Sequence, residues 1–198
     1  MNPAQLLEHF DRISEAPDAI SRLRRFILDL AVRGKLVEQD PNDEPASELL
    51  KAIVEERCQL QQKGLLKKAK SSSSIETEAS PFRVPGGWEL CRLGALSHQI
   101  TDGTHHTPTY LNEGVAFISV KDIDGVTVSF GNCKYISEAE HQQINQRCNP
   151  EKGDILLCRI GTLGRATIVD TDRPFSLFVS VGLIKLSKTI RITRYLHM

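Results

Sequence analysis

A serine run divides this chain into two stretches of different texture. Ser71-Ser72-Ser73-Ser74 and the polar residues up to Ser80, then Pro81, Pro85, Gly86 and Gly87, carry no apolar period and read as a linker. Before the run, apolar residues recur every three or four positions. After it, they come in short β-branched and aromatic runs broken by Gly, Asp and Asn. The expected plan is a helical unit over residues 1–70, a flexible linker over 71–87 and a β-rich mixed domain over 88–198. That is an α+β fold.

In the helical part, Leu6, Leu7, Phe10 and Ile13 predict a helix over 4–16 that Pro17 ends. Asp18 opens a second helix, with Ile20, Leu23, Phe26, Ile27, Leu30 and Ala31 as its apolar stripe and Gly34 as its stop. Asp40-Pro41-Asn42-Asp43-Glu44-Pro45 must be a loop. A third helix runs from near Pro45 towards Gly64, with Leu49, Leu50, Ile53, Val54 and Leu60 apolar. Beyond the linker, strands are predicted at Val115–Val120, Val126–Phe130, Ile155–Ile160, Ala166–Val169 and Phe175–Lys185, mainly antiparallel. Residues 137–147 read as one short helix, with Ser137 as N-cap and Glu140 completing a capping box. A new element opens at Ile190–Leu196 and the chain then stops, so the β-domain is expected to be incomplete at its C-terminus.

Charge is uneven. The chain has 25 Lys/Arg and 25 Asp/Glu in 198 residues, but from Gly153 onward seven cations face three aspartates, a surplus of +4 that residues 1–152 offset with −4. Binding to a polyanion depends on such local patches rather than on net charge. The five cysteines (58, 91, 133, 148, 158) include no C-x-x-C pair, and no apolar run approaches the ~18 residues of a membrane span. A reduced, cytoplasmic protein with thiols as small core residues is expected, without a zinc site.

The basic surplus contains one motif of note. Residues 153–165 run Gly-Asp-Ile-Leu-Leu-Cys-Arg-Ile-Gly-Thr-Leu-Gly-Arg: an apolar strand, Arg159, a Gly161-Thr162-x-Gly164 turn and Arg165. Two guanidinium groups and a hydroxyl at one sheet edge suit a polyanion, and the glycines allow positive φ. Alone, the same residues also fit a plain hairpin with solvated arginines. Two further polar loops complete a candidate surface: Thr101-Asp102-Gly103-Thr104-His105-His106-Thr107, and Ser119-Val120-Lys121-Asp122. Lys and Arg set register on phosphates, while Thr, His and bidentate Arg read base edges. The first loop also fits an Asx-turn between strands. Tyr110 and Phe117 are expected in the core.

Motifs for catalysis are missing. There is no G-x-x-x-x-G-K-[ST] and no G-x-S-x-G. Asn149-Pro150-Glu151-Lys152 lacks the aromatic that a base-stacking methyltransferase motif needs, and no acidic-x-Lys follows Asp154 as in a metal-dependent nuclease. His105 and His106 stand without a nucleophile motif. A non-catalytic binding module is expected. The rivals are a protein-interaction module that docks a partner through the helical unit, and a stand-alone nuclease or methyltransferase.

The order of several short motifs resembles a known family. They are Trp88-Glu89-Leu90 with Leu93-Gly94, Ile100-Thr101-Asp102-Gly103-Thr104-His105 with Pro108, Phe117 to Ile123, Tyr135 to Glu138, Lys152 to Leu157, and Arg159 to Arg165. Together they are similar to a target recognition domain of the specificity (S) subunit of type I restriction-modification systems. The run from Ile27 to Val37, then Asp40 to Ala46 with Leu49-Leu50, resembles the leader before the first such domain.

The resemblance implies a non-catalytic subunit that reads one half of a bipartite site on double-stranded DNA. Its implied partners are methyltransferase (M) subunits and, through the assembled complex, a restriction/translocase (R) subunit. S-adenosylmethionine, ATP and Mg are then expected on partner subunits only, with no cofactor, metal or membrane contact in this chain. The implied fold resembles the DNA-recognition domain of adenine methyltransferases. The DNA-facing residues expected from the three polar loops are Thr101, Asp102, Thr104, His105, His106, Lys121, Arg159, Thr162 and Arg165. Shared motifs should set loop geometry and touch phosphate, leaving base reading to stretches such as 104–110 and 124–134.

Overall fold

The second predicted helix forms as Ala19–Val32 (α2), after a short α1 at Pro3–Glu8. The computed structural model describes residues 3–10, 15, 17–66, 82–190 and 193–197. Most of the second half of the expected first helix, and residues 71–81 of the expected linker, lie outside that set. The predicted stop at Gly34 holds: it sits at φ +63, Lys35 N–H donates to Leu30 O at 2.8 Å and Gly34 N–H to Ala31 O at 3.0 Å. This pair of bonds satisfies the last helical carbonyls.

Packing groups Met1–Glu48 with Ser73–Cys91 in one unit, and Leu49–Ser72 with Arg92–Met198 in the other. The division differs from the expected one. In the first unit, residues 82–88 fold back on the α2 turn rather than acting as a free tether. A β-carbon on Gly34 would collide with Pro85, Trp88 Nε1 donates to Gln39 Oε1 at 2.7 Å, and the Arg33 guanidinium lies over the Phe82 ring.

The third helix, α3 (Ala46–Gln62), belongs from Leu49 onward to the second unit and buries Ile53 there. The second unit then runs α4 (Leu93–Leu96), β1 (Ser97–Asp102), β2 (Val115–Ile118), a 3-10 turn at Val120–Asp122, β3 (Lys134–Ile136), α5 (Glu138–Asn145), β4 (Ile155–Cys158), β5 (Ala166–Ile168), β6 (Phe175–Leu177), β7 (Val181–Leu186) and α6 (Thr193–His197). The α+β expectation is met, and the element opening near Ile190 is α6.

The strands make two sheets. One has order β1-β7-β4-β5, antiparallel throughout; the other has order β3-β2-β6, with β2 and β6 parallel. Strand β2 explains why the core lies where it does. All four of its residues are buried, because alternation sends Ala116 and Ile118 into a cluster with Leu156, Cys158, Leu183 and Phe175. Val115 and Phe117 point the other way, towards Ile136 and Ile144. A strand covered on both faces reads as a continuous apolar run. Helix α5 covers the second face, and Ser137 Oγ accepts from Glu140 N–H at 3.2 Å. Ser137→Ala is expected to cost about 1 kcal/mol, read as a lower urea midpoint at unchanged slope.

Several expectations need correction. Val126–Phe130 forms no strand; only an isolated bridge joins Ile123 and Val128. Asp124 Oδ1 instead accepts from the N–H groups of Val126 and Thr127, which turns the chain. Phe175–Lys185 is two strands with a turn between them. Tyr110 is exposed rather than core, although its ring touches buried Phe117. Cys133, Cys148 and Cys158 are buried thiols, whereas Cys58 is exposed; desolvation pushes Cys148 up to about 11.

Candidate nucleic-acid interface

The first polar loop starts where the two sheets of the second unit meet. Strand β1 pairs with β7 as far as Asp102 opposite Gly182. Gly103 N–H then donates to Val181 O at 3.2 Å, and Thr104 N–H to Leu177 O at 2.8 Å. The chain thus leaves the edge of one sheet and adds to the end of β6 in the other, where Thr104 bridges Phe178. Gly103 is required at this crossing, since any β-carbon would overlap the Leu177 carbonyl.

Asp102 therefore sits at a fixed point, and three side chains converge on it. Arg147, just past α5, donates to Asp102 Oδ1 at 3.0 Å. Arg159, directly after β4, donates to Asp102 Oδ2. His105 Nε2 lies 3.2 Å from the same carboxylate. Arg147 also donates to Thr101 Oγ1 at 3.2 Å, to Asp102 O at 2.9 Å and to Gly103 O. Burial raises the Asp102 pKa, but the bonds from Arg147, His105 and Arg159 outweigh it and hold the carboxyl below its ordinary range. The carboxylate is 17% exposed, against 52% for Arg147 and 49% for Arg159. The anion lies beneath and the cations face water.

The remaining expected residues distribute unevenly. Thr104 is buried, and its Oγ1 lies 2.6 Å from His106 Nδ1, which turns His106 Nε2 towards Glu140 at 3.7 Å. Lys121 is exposed on the 3-10 turn, whose geometry Asp122 fixes by accepting from Ser119 N–H at 2.8 Å. Arg165 does not join Arg159. Its guanidinium donates to Ile123 O at 3.2 Å and its stem packs on Gly125, tying the Gly161–Gly164 turn to the 123–127 loop. The two arginines of the motif thus serve different loops, which corrects the expected pairing at one edge. Thr162 is exposed in that turn; Gly161 and Gly164 adopt φ +75 and +78, as the motif required. The nearby Asp154 is buried and paired with Lys185 Nζ at 2.7 Å.

Arg147 was not legible as a site residue. Its only sequence signal is a cation just after a capped helix. Among the described residues, no group of His, Cys, Asp and Glu could hold a metal ion, and no helix is long and apolar enough to cross a membrane.

No family model matches the chain. The EcoAI type I restriction enzyme specificity subunit of Escherichia coli is 42% identical over 127 residues, covering 64% of this chain and 22% of that protein. Over that stretch the chain is similar to a type I restriction specificity subunit. The EcoEI specificity subunit of the same organism is 46% identical over 95 residues, covering 48% of this chain and 16% of that one. The matched stretches thus cover less than a quarter of the length of these specificity subunits. Among solved structures, the HsdS subunit from Thermoanaerobacter tengcongensis is 14% identical at a TM-score of 0.40, covering 96% of this chain and 41% of its own.

Proposed function

We propose that this chain is a non-catalytic module that binds double-stranded DNA, reads one half of a bipartite site and directs methyltransferase and restriction subunits to it. The observation that carries the reading is the half-exposed pair Arg147 and Arg159, fixed over Asp102 where the two sheets meet. Preset guanidinium groups suit phosphate oxygens, which position a protein on the duplex without specifying bases. Lys121 adds a further cation, and the Thr104–Tyr110 and 124–134 stretches supply hydrogen-bonding and apolar groups for base edges. S-adenosylmethionine, ATP and Mg belong to the partner subunits in this reading.

Fluorescence anisotropy with random duplexes at two salt concentrations tests it. Binding should weaken with salt. Lys121→Ala and Arg159→Ala should each weaken binding to all sequences alike and lower the salt slope by about one. A salt-independent affinity would favour a protein-interaction module instead. Turnover of DNA by the purified chain with Mg²⁺ and S-adenosylmethionine would overturn the non-catalytic assignment.

A further inference from the structure

Asp102 does not have the surroundings of a base reader. A carboxylate reads cytosine by accepting from its amino group, which needs free lone pairs. Arg147 and Arg159 take one acceptor site on each Asp102 oxygen and His105 lies within reach of both, which leaves little of the carboxylate's roughly four sites for a base. The carboxylate is also the least exposed member of its cluster. Its position is set by a backbone crossing rather than by a mobile loop, because Gly103 and Thr104 are bonded to Val181 and Leu177. A guanidinium carries five N–H donors: Arg159 can face a phosphate while still holding the carboxylate, whereas Arg147 already gives four bonds, to Thr101 Oγ1, Asp102 Oδ1, Asp102 O and Gly103 O.

Building on the DNA-binding reading above, we propose that Asp102 is a positioning residue: it locks Arg147 and Arg159 in place and offsets part of their charge, so that an arbitrary duplex is held weakly. Two arginines and one carboxylate leave one net positive charge at this point. At Arg147 a phosphate must compete with Asp102 and the loop carbonyls for donors, and at both arginines it meets the Asp102 charge. That competition penalises any duplex whose other contacts do not fit. Specificity here comes from a repulsive element as well as attractive ones.

Asp102→Asn keeps the shape and removes the charge. Titration with a random-sequence duplex should give several-fold tighter binding than wild type at low salt. The log K against log salt slope should be steeper by about one. Asp102→Glu, which retains the charge, should stay near the wild-type slope. Adding Arg147→Ala and Arg159→Ala to the Asn variant should abolish the gain. An Asn variant with wild-type circular dichroism that binds no tighter overturns the lock. If wild type itself shows no salt-dependent binding, the DNA reading fails first and the lock with it. Should the Asn variant not fold, NMR of the unaltered protein decides. The Asp102 carboxyl signal should shift along with the Arg147 and Arg159 side-chain signals as random duplex is added. A carboxyl signal that stays still at saturation overturns the inference.

Discussion

Glu56→Ala is expected to cost about 3 kcal/mol and to lower the urea midpoint accordingly. Glu56 lies on α3 and is 21% exposed. Its carboxylate accepts from Ser187 Oγ, from Thr189 Oγ1 at 2.7 Å and from the N–H groups of Lys188 and Thr189 at 3.2 and 3.3 Å, while His98 Nε2 lies 3.0 Å away. Truncation leaves these groups without their charged acceptor, which costs more than the bonds' net worth. Burial raises the Glu56 pKa, but the donated bonds prevail and lower it from 4.5 to about 2. Because the folded value is the lower one, this stabilisation is complete above about pH 4.5 and is lost as pH falls through about 2. Wild type should therefore lose stability over that window more steeply than Glu56→Gln. The neighbouring Arg57 holds Gly94, Ala95 and Ser97 carbonyls at 2.9, 3.1 and 2.6 Å. One turn of α3 thus fixes both the start of β1 and the end of β7.

Gly103→Ala should be of similar size, about 3 kcal/mol, through overpacking. The added carbon would overlap the Leu177 carbonyl and crowd Phe178, both backbone, so no side-chain rotation relieves it. The crossing would have to open, breaking the Gly103–Val181 and Thr104–Leu177 bonds. The distinguishing measurement is amide hydrogen exchange. Protection should fall at Thr104 and Val179 beyond the global loss, because Thr104 N–H donates to Leu177 O and Val179 N–H to Thr104 O at the crossing. Uniform loss of protection would show that the clash is absorbed elsewhere.

Local chemistry made the helix ends legible. Gly34 and the Ser137 N-cap need only neighbours in sequence, and both occur, although only the Ser137 half of the expected capping box forms. Strand β1 was missed because Ser-His-Gln-Ile-Thr-Asp has little β-branched content; its pairing with β7 forms it. Val126–Phe130 has the right residues for a strand, but Asp124 captures the amides that a ladder would use. The candidate site was half legible. Thr101, Asp102, His105 and Arg159 do converge. Arg147 reaches Asp102 from 45 residues away, a distance that no spacing rule encodes. Arg165 left the group for the same reason: a tertiary acceptor, Ile123 O, claimed it.

The Gly161–Gly164 turn is a place where this fold can vary. A β-carbon at either glycine would meet nothing within 4 Å. The turn closes through Cys158 N–H to Arg165 O at 2.8 Å and Gly164 N–H to Cys158 O at 3.3 Å. It is a cassette clipped at its base. Lengthening it twofold adds only about 0.6 kcal/mol of closure entropy, and its exposed Thr162 and Leu163 can be exchanged without repacking β4 or β5, while Gly161 and Gly164 are held to glycine by their positive φ. New loop lengths can therefore be tried at its tip while the sheets beneath keep their stability.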